Sequence, residues 1–190
     1  MRNGFKGAPD LATRAIKGSR ERWLESKAKA EAAGEELAGR FAHLPSPDKV
    51  ILMGHSLGCR AIKTCLENLA DDEIKVREVH LLGAAVPAGE SWTRASRAVR
   101  GVITNYYSKN DNILNIPYHA AELLSGIRGP KNRDLDFPAI PAGFSVSPAG
   151  LKGISRSGKK IKNIDVSAFV NRHAGFEENL HRFIKFRDCH

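Results

Sequence analysis

Three short apolar runs, Lys49 to Met53, Val76 to Leu82 and Val102 to Tyr107, are separated by helix-forming stretches from about Leu57 to Ala70 and near Ser91 to Val99. Strands that return to one sheet in the same direction need a crossover of a dozen or more residues, usually a helix. The alternation therefore predicts an α/β fold with a mostly parallel sheet flanked by helices. A further strand is expected at Ile161 to Val166, then a helix from about Phe176 to Phe186 with Leu180, Phe183 and Ile184 as its apolar stripe. Ahead of the first strand, Trp23, Ala30, Ala33, Leu37, Phe41 and Leu44 recur at helical spacing between Ser19 and Leu44, and Pro45-Ser46-Pro47-Asp48 ends that helix. The run Lys49 to Met53 has the length and flanks of a buried strand.

With 190 residues, 42% of them hydrophobic, the chain can bury a core, and it reads as one domain over 1–190. A helical piece is expected near Ala120 to Leu124, and the Gly-, Pro- and Ser-rich residues that follow form a loop or lid-like insertion over 126–160. No apolar run approaches a membrane span and the first twenty residues hold no signal-peptide core, so a soluble, unprocessed protein is expected. Three cysteines, Cys59, Cys65 and Cys189, lack disulfide or zinc spacing and point to the cytoplasm. The net charge of +9 is spread thinly, with its densest stretch at Lys152, Arg156, Lys159, Lys160 and Lys162. It reads as a solvated basic face, with an anionic substrate or membrane surface as the alternative. No stacking aromatics are interleaved, which argues against nucleic acid as a partner.

Gly54-His55-Ser56-Leu57-Gly58 is a G-x-S-x-G pattern set between the first predicted strand and the helix after it. A serine on so tight a strand-to-helix turn projects its hydroxyl from the sheet's C-terminal edge, and flanking glycines remove Cβ atoms from the bend. The first turn of the helix leaves backbone N–H groups free, that of Leu57 included, to receive an oxyanion. His55 is expected to point away from Ser56 and pack locally, and Cys59 to be a buried helix residue.

A nucleophile of this kind needs a base and an acid, here expected in the order serine, acid, histidine, on loops after later strands. Asp111 follows the strand Val102 to Tyr107 and takes the acid role; as a bland alternative, Lys-Asn-Asp-Asn is a good turn by composition. Its rivals are Asp134, Asp136 and Asp165. His173 follows the last predicted strand and is the expected base, ahead of His119; His181, His80 and His190 lie on the terminal helix, in a strand and at the chain end. His173 would take the Ser56 proton as the serine attacks an acyl carbonyl, Asp111 would orient the imidazole, and water would release the acyl group.

From Trp23 onward the chain resembles the α/β-hydrolase-like family of transmembrane and coiled-coil domain-containing proteins. The resemblance rests on Trp23, Gly34 and Leu37-Ala38, on Val50 through Gly58, on Val79-His80-Leu81-Leu82-Gly83-Ala84, on Asn105 through Asp111, and on Asn163-Ile164-Asp165-Val166 leading to His173. It implies an α/β-hydrolase type of fold and a lipase- or esterase-type serine hydrolase, with Ser56, Asp111 and His173 in their places. Proteins of that fold carry further strands before the helix that ends near Leu44, and the expectation here is a fold without those N-terminal strands. The first strand is then expected to be an exposed apolar edge, and the second oxyanion donor to be missing, a loss that costs other hydrolases about 10²–10³ in kcat. A truncated product, a fragment, or a chain completed by a partner or by a second copy is the corresponding expectation.

The sequence thus predicts a carboxylic-ester hydrolase acting on a lipid or other acyl ester. The rival expectation is a catalytically silent hydrolase-like module that binds a partner through its sheet edge. No metal or organic cofactor is implied, since no His, Cys, Asp and Glu cluster has ligand spacing and the turn at Ser56 lacks a Walker lysine.

Overall fold

The computed structural model describes residues 8–41, 43–114, 147–155 and 158–184, with side chains described from residue 21 onward. Helix α1, Ala8–Phe41, leads through the 3₁₀ turn Pro47–Lys49 into strand β1, Ile51–His55, and helix α2, Leu57–Asp71. Strand β2, Glu78–Leu82, the 3₁₀ turn Ala95–Ala98 and strand β3, Ile103–Tyr107, follow. After a short helix, Ala149–Lys152, come strand β4, Ile161–Asp165, and the short helices Gly175–Glu178 and Leu180–Phe183.

The four strands lie side by side in chain order, every neighbouring pair parallel, which makes this an α/β fold. His55 pairs with Leu82, Leu82 with Tyr106, and Tyr107 with Asp165, so the C-terminal ends of all four strands are level. The segments after β1, β3 and β4 consequently open on one edge of the sheet, where α/β sheets place their sites.

Alternation along each strand divides the core between the two faces. Val79, Leu81 and Ile103 pack with Ile62, Cys65, Leu66 and Leu69 of α2, Ala38 and Phe41 of α1, and the fully buried Trp92. Leu82 and Tyr106 face the other way, against Val166, Val170, Phe176 and Ile184. Helix α1 closes on α2 at Gly34, where a Cβ would lie 2.3 Å from the Ala61 carbonyl oxygen.

Several expectations need correction. Helix α1 starts at least eleven residues before Ser19 and stops at Phe41, short of Leu44. Strand β1 begins after the 3₁₀ turn and reaches His55; among the described residues it is an edge strand with Met53 37% exposed, as expected for a strand that lacks its usual neighbour. The helix expected near Ser91 to Val99 is only a 3₁₀ turn, and the final helix is broken at Asn179. Of the expected insertion over 126–160, residues 126–146, and with them the helix near Ala120 to Leu124, lie outside the described residues. Residues 147–155 are no lid. Ala88 N–H donates to Ser147 O, Ala149 N–H to Val86 O, Gly150 N–H to Ala84 O and Ser108 N–H to Gly150 O, which packs this segment onto the ends of β2 and β3. The buried Asn105 ties it to the sheet, donating from Nδ2 to Ala149 O and Asn163 Oδ1, both at 3.0 Å.

Candidate active site

Ser56 sits where β1 turns into α2, with φ 55° and ψ −120°. A non-glycine residue in such a region is strained by roughly 1–3 kcal/mol and persists only where its surroundings enforce it. The enforcement is visible: Ser56 N–H donates to Leu82 O at 3.0 Å, and Ser56 O accepts from Cys59 N–H at 3.1 Å and Ala85 N–H at 3.2 Å. A Cβ on Gly54 would stand 2.9 Å from the Gly58 carbonyl group, so Gly54 is required for the bend. Gly58 is not required in that way, since a Cβ there meets nothing within 4 Å. The N–H groups of Leu57 and Gly58 find no acceptor among the described residues and face the first turn of α2 as open donors.

Asp111 lies three residues past Ser108 beyond β3 and is fully buried. One carboxylate oxygen accepts the Leu114 N–H at 3.0 Å, and the other is 2.6 Å from His173 Nδ1. An ionised carboxylate only accepts, so the proton belongs on Nδ1 of His173 and Nε2 keeps its lone pair. The His173 side chain is 12% exposed. The Ser56 hydroxyl makes no hydrogen bond to His173, and Ser56 is brought near by its neighbour: the ring centroids of His55 and His173 are 4.5 Å apart. The structure therefore pairs Asp111 with His173 directly and sets His55, the residue before Ser56, against the His173 ring, while Ser56 itself is not hydrogen-bonded to the pair.

The loop carrying Asp111 is fastened to the loop that leads to His173. Ser108 Oγ donates to Val170 O at 2.6 Å, Lys109 N–H to Ser167 Oγ at 3.0 Å, and Asn110 Nδ2 to Ser167 O at 3.0 Å. Lys109 Nζ lies 2.8 Å from Asp165, whose carboxyl is held down at about 2 by that lysine and by Ser167. Ser108, Asn110 and Ser167 were not singled out from the sequence, where Ser-Lys-Asn-Asp reads as a turn; only the register of β3 beside β4 shows that the two loops meet.

Of the rival acids, Asp165 is occupied by Lys109, while Asp134 and Asp136 lie outside the described residues. Among the rival bases, His80 is buried with Nδ1 3.2 Å from the Tyr106 hydroxyl, His181 is exposed, and His119 and His190 lie outside the described residues. Cys59 is buried in α2, its thiol pushed up to about 12 by burial, so it is no nucleophile. Cys65 is likewise buried and free, while Cys189 lies outside the described residues. His55 packs locally, as expected, and what it packs against includes the candidate base. It faces His173 and Phe176, and its Nδ1 is 3.2 Å from Glu177. An apolar cluster of Trp23, Leu57, Ala85 and Leu114 adjoins the same edge. Of the basic stretch, Lys152, Lys159 and Lys162 are exposed, whereas Lys160 is partly buried and donates to Ser96 O and Val99 O; Arg156 lies outside the described residues. Among the described residues no group of three or more His, Cys, Asp or Glu could hold a metal ion.

Residues 19–141 match the family described as "Protein of unknown function (DUF726)". Over 160 residues the chain is 32% identical to the transmembrane and coiled-coil domain-containing protein STS1 of Oryza sativa subsp. japonica, covering 82% of this chain and 21% of that protein. Over 159 residues it is 28% identical to the uncharacterized membrane protein C6F6.13c of Schizosaccharomyces pombe, covering 82% of this chain and 24% of that protein. The chain thus spans 21% to 24% of the length of these relatives. Their printed names place them with membranes; among the described residues here no helix is long and apolar enough to cross one. No solved structure matches the chain.

Proposed function

The chain belongs to the family of unknown function DUF726, and from that premise we propose that it is a serine hydrolase of the α/β-hydrolase type, cleaving the carboxylic ester of a lipid or other acyl compound. The observation that carries this reading is the 2.6 Å bond from His173 Nδ1 to the fully buried Asp111, beside a serine at positive φ on a strand-to-helix turn. Turn strain, a buried carboxylate and a mostly buried imidazole are each costly, and their convergence on one sheet edge supports chemistry better than packing.

In the proposed reaction His173 Nε2 takes the Ser56 proton as Oγ attacks the acyl carbonyl. Asp111 holds the imidazole through Nδ1 and stabilises the imidazolium. The oxyanion meets the N–H of Leu57, with that of Gly58 beside it. His173 then returns the proton to the leaving alkoxide, and water, activated by the same ring, releases the acyl group. The cluster of Trp23, Leu57, Ala85 and Leu114 suits an apolar acyl moiety. The free, buried Cys59 and Cys65 suit a reducing compartment, and we place the unit in the cytoplasm.

Labelling by a fluorophosphonate, read by intact mass, tests the reading: the parent is expected to gain one adduct and Ser56→Ala none. A folded parent that stays unlabelled would overturn it. One observation favours a second reading, a catalytically silent module that binds a partner. Strand β1 has no neighbour on its outer side among the described residues, and Met53 on it is exposed. In that case a partner that binds the parent also binds Ser56→Ala unchanged.

A further inference from the structure

Immediately before Ser56 stands an imidazole that the reaction above does not use. The His55 ring lies 4.5 Å from that of His173, tilted by 35°, and the buried Phe176 ring lies 5.8 Å from it on a second side. Its Nδ1 is 3.2 Å from Oε1 of Glu177, which as a carboxylate can only accept, so the proton of His55 belongs on Nδ1. Nε2 is buried without a hydrogen-bond partner, the His173 main chain lying near without reaching bonding geometry. Burial first, and His173 second, hold the His55 pKa below its ordinary value against the opposite pull of Glu177, the His173 main chain and Asp111.

We propose that His55 is a positioning residue for His173, a neutral flat wall anchored by Glu177 and Phe176 that keeps the His173 ring aligned with Asp111. The Nδ1 hydrogen bond and the Cβ tether restrain the His173 ring, but a hydrogen bond stretches and bends enough to allow small excursions of the side-chain torsions. A packed ring against its face removes that freedom, so that Nε2 stays on the side of Ser56. The neutrality of His55 matters as well, because a charged ring at this distance opposes the imidazolium that His173 becomes. The consequence for rate rests on the hydrolase reading; the geometry does not.

The test reads the Nδ1 proton of His173, which a bond to a buried carboxylate shifts far downfield in the NMR spectrum. It is measured in the parent, His55→Phe, His55→Ala and Glu177→Ala, with thermal melts to establish folding. The parent and His55→Phe, which keeps a flat ring, are expected to show the signal. His55→Ala is expected to broaden it away and to slow fluorophosphonate labelling about 10- to 100-fold, the scale of a small misplacement of a reacting group. Glu177→Ala alters a side chain that is 70% exposed, so it leaves folding intact, and is expected to broaden the signal less. The proposal is overturned if the signal stays equally sharp in His55→Ala and Glu177→Ala, if His55→Phe loses it as fully as His55→Ala, or if the parent lacks it. A parent that shows the signal but takes no label brings down the hydrolase reading alone, and the proton signal then decides the positioning role by itself.

Discussion

A carboxylate buried as completely as Asp111 needs hydrogen-bond partners, and it has two, the Leu114 N–H and the His173 ring. Asp111→Asn keeps the size and can keep the Leu114 bond, but its amide donates toward His173 and favours the tautomer with the proton on Nε2, which cannot accept from Ser56. A loss of up to about 10⁴ in ester turnover and labelling rate, the scale of this exchange in a serine protease, is expected with the fold intact. A variant that still labels at the parental rate would remove Asp111 from the mechanism. At this scale the sequence made the positions of Ser56, Asp111 and His173 after β1, β3 and β4 legible, because each follows an apolar run that had to be a strand. It did not show what His55 packs against. Neighbours in a strand do point to opposite faces, but the chain reverses at Ser56 and the segment after β4 folds over the strand end, bringing His173 and Phe176 onto the face that His55 presents. No local pattern encodes that fold-over.

Elements were legible where the pattern was long, as in α2, where apolar positions recur over four turns, and opaque where packing overrides it. Between β2 and β3, Trp92, Ala95 and Ala98 are all buried at three-residue spacing, which suits a 3₁₀ turn better than the helix expected there. The last helix breaks where Asn179 turns its side-chain amide onto Gly175 O, competing with the backbone ladder. The segment 147–155 looked like loop because it is rich in Pro, Gly and Ser, yet Gly150 is there for closeness: a Cβ would fall 2.2 Å from the Gly83 carbonyl carbon and 2.4 Å from Ala84 N. Backbone cannot yield as a side chain tip does. Gly150→Ala is therefore expected to destabilise by about 1–3 kcal/mol in urea melts and to disturb Ser56 through Ala84 and Ala85, slowing labelling. Gly58→Ala, with open space around its Cβ in the first turn of α2, serves as the contrasting variant and is expected to leave stability unchanged or raise it by up to about 1 kcal/mol. Equal costs for the two would contradict this account of the segment.

Across the whole molecule, acid acts through two groups of opposite burial. His55 and His80 have folded pKa values below the ordinary 6.5, chiefly through burial, so the unfolded chain binds protons that the folded chain refuses. Their destabilising effect is absent well above pH 6.5 and grows as pH falls through it; His55→Phe and His80→Phe should each flatten that part of a stability profile. Asp165 behaves in the other window, its contribution being present above 3.8 and lost as pH falls toward about 2, and its exposure keeps the effect small. The open side of the sheet is where a test of association belongs. Strand β1 carries unpaired backbone groups along its outer edge among the described residues, and Met53 adds an exposed apolar side chain where natural edges usually place charge. Met53→Lys supplies that charge. Its stability is expected to stay within about 0.5 kcal/mol of the parent, as for other surface changes, while sedimentation at rising concentration shows weaker self-association. A large fall in stability would mean instead that the chain covers this edge itself, and would remove the structural ground for a completing partner.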